Sequence, residues 1–203
     1  MQTSQRQPQT AIMPFLSNDD FRTWQEKFMS LEDLGSRKML AMDPMTYPEF
    51  LARLAADPAP EVRALVAENP TTPAKVLETL GKDTETVVLM AVAKSQQTPI
   101  PLLERLAAYE RPLVRACVAV NPQTPLPLLI RLAGDPNHYV RMALAMNPAG
   151  SEEIQLRLSQ DHEPEVRAAV MRSPEISKQV LQSLIKDQDL RVKKRAQHLM
   201  LQH

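Results

Sequence analysis

Asn-Pro, or a close substitute, recurs at a fixed interval along this chain. Asp43-Pro44, Asn69-Pro70, Asn121-Pro122, Asn147-Pro148 and Ser173-Pro174 fall on one 26-residue grid, and Ser95-Gln96 holds the remaining grid point without the proline. The units between align without a gap. Leu54, Leu80, Leu106, Leu132, Leu158 and Leu184 share a column, as do Phe50, Val76, Leu102, Leu128, Ile154 and Val180. Val62, Val88, Val114, Val140, Val166 and Val192 form a third. A unit this small cannot bury its own apolar face, so it does so against its neighbours. The pattern therefore calls for a repeat array rather than a single central core.

Composition says what each unit is made of. Aromatics are only 4% of the chain, while Ala, Leu and Val abound, which favours helices over strands. The 18 prolines must then sit at helix ends, because a mid-helix proline costs about 3 kcal/mol. Many short helices follow. In the unit Asn69 to Lys94, Thr72 is placed as an N-cap with Pro73 at the first helical position. Val76, Leu77 and Leu80 follow on one face, and Asp83 is placed to cap a second helix carrying Val88, Ala91 and Val92. The next Asn-Pro or Ser-Pro ends that helix, since the residue before proline avoids the α region. Helices of two or three turns do not persist alone, so the array is the cooperative unit.

The grid divides the chain as follows. Residues 1–16 are Gln-, Thr- and Pro-rich and expected to be disordered. Residues 17–42 read as a degenerate N-terminal capping repeat, in which Trp24 and Phe28 fall in the columns of Phe50 and Leu54. Residues 43–198 hold six repeats, and 199–203 form a C-terminal tail. Lys193, Lys194 and Arg195 give the last helix a polar outer face, as a terminal cap requires.

The motif NPxTPxxLLxxLAxDxxxxVRxxVAxNP, cleanest from Asn121 to Pro148, resembles the leucine-rich repeat variant family, a bacterial relative of HEAT-like solenoids. The likeness covers 43–198 well and 17–42 weakly. HEAT-like repeats share the spacing seen at Asp57…Val62-Arg63. The resemblance implies an all-α, right-handed superhelical solenoid of short helix pairs, one of which is short or 3₁₀. Some members of that family carry an N-terminal iron–sulfur cluster on several cysteines. That feature does not transfer, because the single cysteine is Cys117. The family is a scaffold class, and its fold does not name a partner.

Function is sought among residues the repeat does not require. Arg63, Arg115, Arg141 and Arg167 form a column broken by Leu89 and Lys193. It reads either as a basic stripe or as a structural tie to Asp57, Asp83, Asp135, Asp161 and Asp187; the recurrence favours the tie, worth about 0–1 kcal/mol if exposed. A second column, Arg53, Arg105, Arg131 and Arg157, lies on the first helix and reads as surface solvation. On the second helices, Met90, Ala116, Val120, Met142 and Met146 point away from the buried Val face and form an expected apolar partner-binding patch in a groove. The same columns carry Glu68 and Lys94 on one side and Arg172, Lys194 and His198 on the other. An apolar centre with a charged rim suits a peptide or helix, and methionine suits adaptable surfaces.

Chemistry-bearing constellations are otherwise thin. Cys117 lies in a column of small core residues, the four histidines lack metal spacing, and no glycine-rich phosphate loop occurs. One cysteine excludes an internal disulfide and any Cys-only cluster within the chain. No stretch approaches the ~18 apolar residues of a membrane span. The expectation is a cytoplasmic, non-enzymatic protein–protein interaction scaffold with no cofactor, no metal and no membrane contact. The alternative is a nucleic-acid-binding solenoid using Arg172, Arg191, Lys193, Lys194 and Arg195 as a basic patch. Equal numbers of basic and acidic residues, 24 each, give no global attraction to nucleic acid.

Overall fold

A computed structural model describes residues 18–29, 33–173 and 175–202; the expected disordered tail lies outside them. Among the described residues, fourteen α-helices alternate as first and second members of a pair. The first members are α1 Asn18–Met29, α3 Pro48–Leu54, α5 Ala74–Leu80, α7 Ile100–Leu106, α9 Leu126–Leu132, α11 Glu152–Leu158 and α13 Lys178–Leu184. The second members are α2 Leu34–Met42, α4 Pro60–Glu68, α6 Thr86–Lys94, α8 Pro112–Val120, α10 His138–Leu144, α12 Pro164–Val170 and α14 Leu190–Met200. From Pro48 onward the first members start at matching points of the repeat, and from Leu34 onward so do the second. The protein is an all-α solenoid of helix pairs. Among the described residues both members are α-helical, so the 3₁₀ form implied by the family resemblance is not adopted. The last helix reaches Met200, two residues past the expected end of the final repeat.

The chain divides into two compact units, Met1–Gln97 and Thr98–His203. In the first, α2, α4 and α6 stack in order, with α3 and α5 packed beside them. In the second, α8, α10, α12 and α14 stack likewise, flanked by α7, α9, α11 and α13. The three sequence columns are the cores of these stacks. Leu54 and Leu80 in one unit, and Leu106, Leu132, Leu158 and Leu184 in the other, are buried. All six members of the Val column are buried as well. Trp24 is half-buried, and the side chain of Phe28 lies outside the described residues.

Helix starts follow proline chemistry more than side-chain capping. Pro48, Pro60, Pro112 and Pro164 open their helices, where the missing N–H is not needed. Two local expectations are corrected. Pro73, not Thr72, is the N-cap of α5, and Thr72 instead donates its hydroxyl to the Val66 carbonyl. Glu85, not Asp83, is the N-cap of α6; Asp83 sits two residues earlier and accepts from the Glu85 N–H. Thr72 thus closes the preceding helix α4, and Asp83 serves the turn before α6.

Those turns also join repeats. Asn69 donates from Nδ2 to the Ala41 and Asp43 carbonyls at 2.8 and 2.9 Å, while its Oδ1 accepts from the Thr71 N–H. Asn147 repeats the pattern onto the Ala119 and Asn121 carbonyls. Thr46 and Thr124 close the preceding second helix by donating to the Leu40 and Val118 carbonyls. The Asn-Pro signature thus terminates a helix and satisfies carbonyls that the termination exposes. Among the described residues no buried side-chain nitrogen or oxygen lacks a partner.

Candidate functional site

The Arg column is structural, and its geometry differs from the exposed pairs expected. Arg141 donates from Nε and Nη2 to both carboxylate oxygens of Asp161, at 2.6 and 2.9 Å, in a two-bond fork. Its Nη1 donates at 2.7 Å to the Asp135 carbonyl, six residues back. The two side chains are only 6% and 7% exposed. Arg63 with Asp83, Arg115 with Asp135 and Arg167 with Asp187 repeat the fork, and Arg37 bonds Asp57. The carboxylate is always that of the next repeat, and each of these five also accepts from the N–H two residues later. The Asp of the arginine's own repeat offers its carbonyl, not its carboxylate, as hydrogen-bond acceptor. Hence Tyr109 can replace it, and Arg115 still bonds the Tyr109 carbonyl at 2.9 Å. Arg115 also forks onto Asp135, which marks the next step.

Electrostatics in this ladder follow from burial and pairing. Burial pushes the Asp83, Asp135 and Asp161 carboxyls up, but the arginine and backbone N–H hydrogen bonds together outweigh it and hold all three below the ordinary carboxylate range. At Asp187 the Arg167 hydrogen bonds lead and give the same direction. These residues are therefore ionised pairs fixing repeat to repeat, and they are not free to take a ligand.

The apolar residues singled out above sit differently. Ala116 and Val120 on α8, and Met142 on α10, are half-buried, and Met146 just past α10 is 47% exposed. Because α8 packs directly on α10, these four lie together. Two more residues complete the face: Leu113 at 57% and Tyr139 at 60% exposure. Leu113, Ala116 and Val120 span only ~60° of the helix circumference at about 100° per residue, and Tyr139, Met142 and Met146 occupy the same sector one repeat on. The Tyr139 ring also leans on His138, with centroids 4.0 Å apart. Leu113 and Tyr139 satisfy the same helical angle but are not in the patch expected above. Their signal lies in the second position of each second helix, a column otherwise held by Gly35, Glu61, Val87, Glu165 and Arg191. Met90 belongs to the first unit, where it is half-buried on α6 between exposed Val87 and Lys94.

Beyond α10 the same columns turn polar. On α12 they carry Glu165 and Ala168, with Arg172 just past its end, and on α14 Arg191, Lys194 and His198. Arg191 pairs with Asp189 at 3.1 Å and approaches Glu165 at 3.7 Å. Among the described residues, Arg172, Lys194 and Arg195 make no ion pair. Lys193 is half-buried and turned from the exposed row. Cys117 is buried in the core. Among the described residues no cluster of His, Cys, Asp and Glu is placed to hold a metal ion, and no helix is long and apolar enough to cross a membrane.

No protein-family model matches the sequence, and no curated protein is similar to it at a significant level. Among solved structures, the chain is similar to a leucine-rich repeat variant with a novel repetitive structural motif, at 22% identity, with 88% of this chain and 82% of that one covered and a TM-score of 0.44. It is also similar to a designed armadillo repeat protein, at 14% identity, with 88% of this chain and 98% of that one covered and a TM-score of 0.31.

Proposed function

We propose that the chain is a non-enzymatic interaction scaffold whose α8–α10 face binds an apolar segment of another protein. One observation carries this reading. The repeat array is its own control: columns that hold Glu61, Glu165 and Arg191 in other repeats hold Leu113 and Tyr139 here, and the column of Arg172 and Glu68 holds Val120 and Met146. Those charged residues sit on helices of the same register and the same buried Val column. Packing therefore does not demand apolar side chains at these positions. Leaving Leu113, Tyr139 and Met146 in water forgoes about 1–2 kcal/mol each that burial would recover, which a partner can supply. This reading places the scaffold in the cytoplasm.

The test is a double substitution, Met142→Glu with Met146→Glu, set against Val140→Glu. The double variant should keep the parent's thermal melt within a few degrees and lose its partner, because both side chains reach solvent. Val140 is fully buried, so its carboxylate should destabilise the second unit by several kcal/mol. If the double variant unfolds like Val140→Glu, the methionines are core. If it folds and still binds, the binding face is elsewhere. Nucleic-acid binding through the α14 row is the competing reading. It requires tight duplex binding with a steep salt slope.

A further inference from the structure

We infer that the partner segment is an acidic, hydrophobic peptide whose apolar anchors sit on α8–α10 and whose carboxylates reach the basic row of α12 and α14. This inference rests on the proposed α8–α10 face and adds the chemistry and spacing of the occupant. The second unit's exposed second-helix face is not uniform. It begins with Leu113, Ala116 and Val120, continues with Tyr139, Met142 and Met146, passes Glu165 and Ala168 on α12, and ends with Arg172, Arg191, Lys194 and Arg195. Three of those four cations lack an ion pair among the described residues, whereas the arginines of the buried ladder are all forked onto carboxylates. Unneutralised cations in a row beside an apolar face are complementary to a segment that is apolar and then acidic.

The far end of this row is shaped as well as charged. A pocket of about 180 Å³ lies between α12 and α14, lined by Pro164, Ala168 and Val192, by the carboxylates Glu165 and Asp189, and by the guanidinium groups of Arg191 and Arg195. Asp189 and Glu165 hold Arg191 from one side, which leaves Arg195 as the pocket's unpaired cation. Ala168 and Val192 in this lining suit the methylenes of a glutamate whose carboxylate meets Arg195. The spacing follows from helix packing. Two steps of 8–10 Å separate α10 from α14, about 18 Å in all. An extended peptide covers that in roughly five or six residues, and a helical one in about twelve.

A random peptide library displayed against the full-length protein tests this. The best-enriched peptide is then synthesised and titrated against the parent, Lys194→Glu with Arg195→Glu, and Met142→Glu with Met146→Glu. The expected result is a consensus of apolar anchors with acidic residues about five positions away, or about twelve if the peptide is helical. Its affinity should fall about tenfold in the charge-reversal variant, and that difference should vanish near 1 M salt, where the screening length is about 3 Å. Both variants are checked by thermal melt, and both substitute exposed or half-buried side chains. Apolar peptides without acidic bias, or indifference to charge reversal, would overturn this inference while leaving the α8–α10 face standing if the Met variant still abolishes binding. Peptides that ignore the Met variant, or no enrichment at all, would overturn both. A DNA or RNA oligonucleotide bound more tightly than any selected peptide, and lost on charge reversal, would assign the basic row to nucleic acid and end the inference.

Discussion

Asp161→Ala should be among the most damaging single changes outside the apolar core. The carboxylate it removes accepts both forked hydrogen bonds from Arg141 and the N–H of Glu163. What remains is a guanidinium 6% exposed, still tied by Nη1 to the Asp135 carbonyl and so unable to swing to solvent without losing that bond too. Removing one member of a buried pair costs about 3–5 kcal/mol, because an uncompensated charge stays behind. With a urea slope of roughly 1–3 kcal/mol per molar, the unfolding midpoint should drop by about 2 M. The loss should appear in the second unit, so circular dichroism should be read beside hydrogen exchange of α10 and α12. A second variant separates burial of a charge from loss of packing. Arg141→Leu with Asp161→Tyr replaces both charges by residues that the same two columns carry elsewhere, at Leu89 and Tyr109, and it should recover about half of the lost stability. A loss below about 1 kcal/mol for Asp161→Ala, the value of an exposed pair, would refute the claim that these ties are buried and strong.

Other outcomes follow from the same geometry. Asn147→Ala should cost about 2–3 kcal/mol, because two carbonyls, of Ala119 and Asn121, lose their donor at once; urea melts read it. Acid should unfold the array earlier than neutral conditions suggest. The Asp83, Asp135, Asp161 and Asp187 carboxyls titrate lower in the folded chain than in the unfolded one. Their contribution is therefore full above the unfolded value near 4 and fades as pH falls below it, which a pH series of melting temperatures will show. Duplex DNA should bind weakly and without sequence preference near physiological salt in an anisotropy titration.

How much of this was legible in the sequence can be argued residue by residue. The helix pairs and their cores were, because the 26-residue period writes the same apolar columns repeatedly and noise in one unit is corrected by the next. The Arg–Asp columns were visible, but the partner was not. The spacing left each arginine open to the Asp of its own or of a neighbouring repeat, and the fork runs to the neighbour, from Arg63 to Asp83 and from Arg141 to Asp161. Only the stacking of α10 on α12 brings the latter groups together. Gln155 shows a further limit. It bonds Ser173 and the Glu175 carbonyl, as Gln25 in the same column bonds the Met45 carbonyl, and a Gln in a Leu column gives no sign of that. At the candidate site, Met142 and Met146 were found by helical angle. Leu113 and Tyr139 were not, because a residue in the first turn of a short helix looks like turn punctuation until its exposure is known.

The central claim, that a partner docks on α8 and α10, is tested most directly by placing a photo-crosslinking amino acid at Tyr139 and, separately, at Arg157. Both positions are exposed, one on the proposed face and one on a first helix of the same unit. Irradiation of cells making each variant should yield a discrete adduct from position 139, none from 157, and none from 139 once Met142→Glu and Met146→Glu are added. An adduct from 157 alone, or one at 139 that survives the methionine substitutions, would contradict the account.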